Sequence, residues 1–163
     1  MAGPQITMWQ LPRVLLELVP ESATLIAQAA VESFDINPDE LELPSPPGPE
    51  ETAKMPSVTG HPYFQALNAE VGSRLRSRFS PYDLASDVFQ PVFYGALDAD
   101  PVDEDLVKRC CEFIELALAA EEHAADGVYM MVIDNIGSEY ASRVAPFAGP
   151  AFREALRSSG WIT

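Results

Sequence analysis

The sequence predicts an all-α fold: an irregular bundle of about six to seven helices with a proline-rich loop. Three observations carry this. Apolar residues recur at three- and four-residue spacing along most of the chain. Helix-start patterns punctuate it at Ser80-Pro81-Tyr82-Asp83, Asp100-Pro101-Val102-Asp103 and Gly149-Pro150. No run alternates apolar and polar residues between hairpin turns, as strands would. With 163 residues, 47% of them hydrophobic, the chain can bury a substantial core.

Taken in order, residues 10–36 form an N-terminal helical segment (1–36) of one or two helices. Leu15, Leu16 and Val19, then Leu25, Ile26, Ala29, Ala30 and Phe34, fall on helical faces. Pro20 breaks the pattern and Ser22 is placed to cap a second helix. Residues 37–59 differ: five prolines lie between Pro44 and Pro56, with few apolar neighbours. This is an acidic linker or surface loop. Its PxxP spacings, Pro44/Pro47 and Pro46/Pro49, fit a ligand of an SH3-type domain less well than they fit a plain tether.

Residues 60–163 form the C-terminal all-α domain. Its first helix starts near Pro62, with Phe64, Leu67, Val71, Leu75 and Phe79 as one stripe. Arg74, Arg76 and Arg78 complement the dipole at its end. The Ser80 start opens a helix that Pro91 is expected to interrupt, leaving Val92 to Leu97 for a second short one. From Asp100 a helix runs to about Ala120. Leu106, Cys110, Phe113 and Ala117 form one stripe, Val107, Cys111, Ile114 and Leu118 its neighbour, so this helix packs on two sides. Asp126-Gly127 reads as the turn into a helix over 128–144, carrying Val128, Met131, Val132, Ile136 and Tyr140 on one face. Gly137 is expected to permit close helix approach. A last helix begins at Gly149-Pro150, with Phe152 and Leu156, and then Trp161.

Charge separates function classes. The formal net charge is −15. It is blockwise: −7 over residues 1–59 (nine acids, two bases), +2 over 60–79 (one acid, three bases), −10 over 80–126 (twelve acids, two bases) and zero over 127–163. Such a molecule repels nucleic acid and anionic membranes and suits a basic protein partner. Ten acids crowd 29 residues: Asp98, Asp100, Asp103, Glu104, Asp105, Glu112, Glu115, Glu121, Glu122 and Asp126. These are the candidate partner-binding residues, able to imitate a phosphate backbone before a basic nuclease site.

Enzymatic and metal chemistry find little support. Cys110 and Cys111 are adjacent and diverge by about 100° on a helix, which suits no zinc site. Both fall on apolar stripes, as reduced, inert core residues do. His61 and His123 stand apart, no Glu-x-x-His pair occurs, and no phosphate-binding glycine loop or nucleophile elbow is present. No cofactor, metal or catalytic residue is expected. Asp134, Asn135 and Glu139 fit the polar face of an amphipathic helix better than a cation site. No signal peptide is read at the N-terminus and no run is long enough to span a membrane, so a cytoplasmic protein is expected.

The segment DEDLVKRCCEFIELALAAEEHAADGVYMMVIDNIGSEY, residues 103–140, resembles the paired-helix segment of small all-helical bacterial proteins associated with polymorphic toxin systems. In those, an acid-led helix ends in an acidic turn, and a second helix carries an apolar run and a late Glu. Phe113-Ile114-Glu115 matches the mid-helix aromatic and acid, and Glu139 the late acid. The resemblance covers roughly residues 62–162 and leaves 1–59 outside. It implies an immunity-type protein that inhibits by binding, without catalysis; joined to the acidic charge, the expected target is a basic toxin or nuclease whose active surface it covers. Two other classes stay open: a small-ligand protein or enzyme with an inter-helix pocket near Tyr94, Tyr129, Asp134 and Tyr140, and an adaptor or structural subunit tethered by 44–56.

Overall fold

A computed structural model describes residues 5–8, 10–26, 50, 62 and 81–163. The helix expected from Phe64 to Phe79, its three arginines, Ser80, and nearly all of the proline-rich segment lie outside the described residues. Those described form helices joined by short turns, with no strand among them. The fold is all-α, as the apolar periodicity requires.

Helix α1 spans Leu11–Leu18 and buries Leu11, Leu15 and Leu16. A 3-10 turn, Pro20–Ser22, comes at the expected proline break. Ser22 does not cap the next turn. Its hydroxyl donates back to the Val19 carbonyl at 2.6 Å, so this buried side chain is satisfied locally.

Helix α2 is a continuous run made of Pro81–Asp83, a π segment Leu84–Phe89, and Gln90–Asp98. The expected interruption at Pro91 does not occur. Just ahead of the proline, the Gln90 amide bonds the carbonyl of Ala85, five residues back. That wider register makes room for a ring that would clash with a carbonyl four residues back in an α turn.

Helix α3, Glu104–Leu118, buries Leu106, Val107, Cys110, Cys111, Phe113, Ile114 and Ala117. Both predicted stripes are thus in the core. Its cap is Asp103, whose carboxylate accepts the Leu106 amide at 3.2 Å. Pro101 lies in the preceding loop rather than in the first turn. α3 packs against α1, α2 and the last helix, and against its immediate successor.

That next helix, α4, combines Glu122–Val128 with a π segment Tyr129–Ile133. Asp126-Gly127 is therefore inside a helix, and the α3–α4 turn falls at 119–121. Gly127 serves close approach: a Cβ there would stand 2.6 Å from Pro81 Cβ and 2.9 Å from its carbonyl carbon. The helix expected over 128–144 is broken at 134–136, and α5 spans Gly137–Val144. Gly137 has φ of 78°, and a Cβ added there would meet nothing within 4 Å, so it supplies a left-handed backbone, not a packing gap. A 3-10 turn, Ala145–Phe147, leads to α6, Pro150–Ser158, which buries Phe152, Ala155 and Leu156, the first and last as expected.

Rings organise the core's centre. Phe89 lies 5.1 Å from Phe113 and 5.2 Å from Phe93, all three fully buried. Such pairs add about 0.5–1.5 kcal/mol beyond burial.

Gly127→Ala should destabilise the protein by about 1–3 kcal/mol, because the new methyl meets backbone as well as side chain. Urea unfolding followed by circular dichroism checks this, and an unchanged midpoint refutes the close-contact role.

Candidate functional site

The ten candidate carboxylates divide into two groups once their partners are known. Five are engaged within the chain. Asp103 caps α3. Asp105 accepts from Arg109 Nε at 3.0 Å, while the same guanidinium reaches both Glu21 oxygens at 2.7 and 2.8 Å and the Leu18 carbonyl at 3.1 Å. These hydrogen bonds to Glu21, with its charge and that of Asp105, hold Arg109 protonated well above its ordinary range against the opposing effect of burial. Glu115 accepts the amides of Ala151 at 2.6 Å and Phe152 at 2.9 Å. It thereby caps α6 from another helix, since Gly149 at the cap position has no side chain to do so. Glu121 accepts the Met8 amide at 2.7 Å, its own amide donates to Ile6 at 2.8 Å, and Gln5 reaches the Ala120 carbonyl at 2.9 Å. Residues 5–8 are thus clasped onto the α3–α4 turn.

Asp98 is the fifth. Its carboxylate accepts the Tyr140 hydroxyl at 2.8 Å and Arg143 Nη1 at 3.3 Å. Arg143 also donates to the Leu97 carbonyl at the end of α2, and its guanidinium lies 5.5 Å from the Tyr140 ring centroid. Tyr94 and Tyr140 stand 4.8 Å apart. Donating to Asp98 raises the Tyr140 pKa, and burial raises that of Tyr94.

The other five, Asp100, Glu104, Glu112, Glu122 and Asp126, are exposed. None has a side-chain hydrogen bond or ion pair among the described residues. Glu104 and Glu112 share the polar face of α3 with Lys108, which lies 6.0 Å from the Phe147 ring centroid. Glu122 and Asp126 are one turn apart at the start of α4 and, with Glu121 and His123, line a shallow open depression. Among the described residues no group of three or more His, Cys, Asp or Glu side chains could hold a metal ion.

Four residues, Tyr94, Tyr129, Asp134 and Tyr140, are the ones expected near a ligand pocket. Tyr94 and Tyr140 meet, but the Tyr129 hydroxyl pairs with Ser159 at 3.0 Å and Asp134 is exposed at the end of α4. The Asn135 amide donates to the Met130 carbonyl at 2.6 Å, so it serves a helix end. Arg143 does not stand out in the sequence pattern, although it lies one turn after Tyr140 on the same helix, the spacing at which side chains meet.

Cys110 and Cys111 are buried and unpaired. Desolvation pushes both thiols up, that of Cys111 to about 12.

Taken together, these observations define an all-α protein in which five of the ten candidate carboxylates are exposed and without a side-chain partner among the described residues. No family model, curated protein or solved structure matches the chain. No helix among the described residues is long and apolar enough to cross a membrane.

Glu115→Ala should lower stability by about 1–2 kcal/mol through loss of the α6 cap, while Glu112→Ala stays within about 0.5 kcal/mol. Thermal unfolding of both variants checks the division between engaged and free carboxylates. The native thiols should resist dithionitrobenzoate until the chain unfolds. Because the folded Cys111 pKa of about 12 exceeds the ordinary 9.0, their contribution to stability is complete below pH 9.0 and is lost as pH rises from there towards 12. A stability profile in which a Cys110→Ala/Cys111→Ala variant shows the same alkaline decline as the parent would contradict it.

Proposed function

We propose that this chain is a non-catalytic acidic binding protein, an immunity-type inhibitor that neutralises a basic toxin, with a nuclease as the favoured class, in the bacterial cytoplasm. The observation that carries it is the set of five exposed carboxylates, Asp100, Glu104, Glu112, Glu122 and Asp126, without internal partners among the described residues, in a chain of net charge −15. Groups tied up in the fold are already oriented and partly neutralised. Groups with no partner extend the field into solvent and meet an approaching basic surface first. Opposite charge accelerates encounter and excludes wrong partners, nucleic acid among them. No metal, cofactor or bond-making step is needed for inhibition by coverage.

The test is capture of a partner from the source cells by the tagged chain, with its neighbouring gene product as the first candidate. The expected partner is basic, and its association rate falls about tenfold or more between about 50 and about 500 mM salt. A variant carrying Asp100→Asn, Glu104→Gln, Glu112→Gln, Glu122→Gln and Asp126→Asn should associate about tenfold more slowly at low salt while unfolding at the parent temperature. A partner without net positive charge, or association indifferent to salt, refutes the proposal.

A further inference from the structure

We infer that residues 5–8 are a releasable strap with the Glu121 carboxylate as its catch, and that opening of the strap returns this carboxylate to the acidic start of α4.

The strap is held at one place. Gln5 Nε2 donates to the Ala120 carbonyl at 2.9 Å, the Glu121 amide to the Ile6 carbonyl at 2.8 Å, and the Met8 amide to the Glu121 carboxylate at 2.7 Å. The bonds between Thr7 and Gln10 are local to the turn before α1 and survive release. None of Gln5, Ile6, Thr7 and Met8 carries a charge, so no ion pair adds to the hold. Ile6 and Met8 pack on the core with side chains that are only partly buried. Parts of a fold open with free energies that run from near zero at its margins up to that of global unfolding in its core. Lifting this strap breaks three bonds at one turn and leaves the fully buried residues of α3 covered, so it belongs to the low end.

The catch has a second place to go. Glu121 occupies the cap position of α4, yet its side chain caps nothing there, because the carboxylate is turned to the Met8 amide. The amides of a first helical turn lack helical partners, and the helix dipole favours negative charge beside them. On release the carboxylate exchanges the strap for this position and solvent, which offsets part of the lost bond. Opening also alters the depression lined by Glu121, Glu122, His123 and Asp126. With the strap closed, Glu122 and Asp126 are its free carboxylates; with the strap open, Glu121 joins them. In the proposed inhibitor the strap would thus set how much unengaged charge a basic partner meets at α4. That consequence rests on the proposed function, whereas the strap itself does not.

Amide hydrogen exchange of the full chain, followed by NMR, tests the strap without any partner. The Met8 and Glu121 amides should show matching protection and exchange about hundredfold or more faster than those of Cys110 and Phe113 in α3. Sub-denaturing urea should leave the strap amides unchanged and speed up those of α3, because strap opening exposes little surface. Glu121→Ala should speed exchange at Met8 about tenfold or more, and Glu121→Gln less, since its carboxamide oxygen still accepts. Protection and urea dependence shared with α3 in the unaltered protein overturn the release. Unchanged Met8 exchange in Glu121→Ala overturns the catch. Either result leaves the acidic binding function standing, which the partner capture tests separately.

Discussion

Burial of α3 on two adjoining stripes is the constraint on which the other elements depend. A helix whose apolar surface is that wide has to be covered from more than one direction, and α1, α2, α4 and α6 supply the cover. Its polar residues then sit at the borders with those neighbours. Arg109 faces the end of α1 and the turn after it, holding the Leu18 carbonyl and Glu21. Glu115 faces the start of α6. The same helix therefore provides the core and the polar ties at its margins. Arginine suits the first tie because its planar fork meets both Glu21 oxygens in parallel while also reaching the Leu18 carbonyl, a bidentate geometry that lysine lacks.

The second constraint is the backbone at the end of α4. A π segment and an early stop leave carbonyls without helical partners, and an unpaired polar group in a packed region is costly. Three side chains from three places resolve this. Gln90 of α2 donates to the Met131 carbonyl, Asn135 to Met130, and the Trp161 indole to Ile133 at 2.7 Å. Among the described residues no buried side-chain nitrogen or oxygen lacks a partner. The two π segments, one in α2 and one in α4, also pack on each other, so the irregular turns of both helices fall at one level of the bundle.

How much of this is legible in the sequence depends on whether the controlling interaction is local. α3 and α6 are readable because their apolar residues recur at helical spacing, and a helix is the one local structure that puts them on a common face. Gly127 has the local signature of a turn, a glycine after an aspartate. Its actual cause is Pro81, forty-six positions earlier in the chain. Pro91 has the local signature of a helix break, but a π register just ahead of it changes where the carbonyls lie. For the site, composition counts ten acids without distinguishing the engaged from the free. Glu115 finds its partners 36 and 37 residues away, and Asp98 finds Tyr140 at 42. Pairings at that separation leave no periodicity to read.

The engaged acids nevertheless do little to reduce the molecule's charge. Asp103, Glu115 and Glu121 accept from backbone amides, which are neutral dipoles. Of these five, among the described residues, only Asp98 and Asp105 meet a guanidinium, and Arg109 is shared between Asp105 and Glu21. Structure therefore consumes the geometry of these carboxylates and leaves most of their negative charge in place. A protein that needed acids only as helix caps would carry counter-charges nearby, since self-repulsion destabilises a compact state. Here residues 80–126 set twelve acids against two bases. That excess of like charge is a cost to the fold, set against the caps and ties that the engaged carboxylates provide.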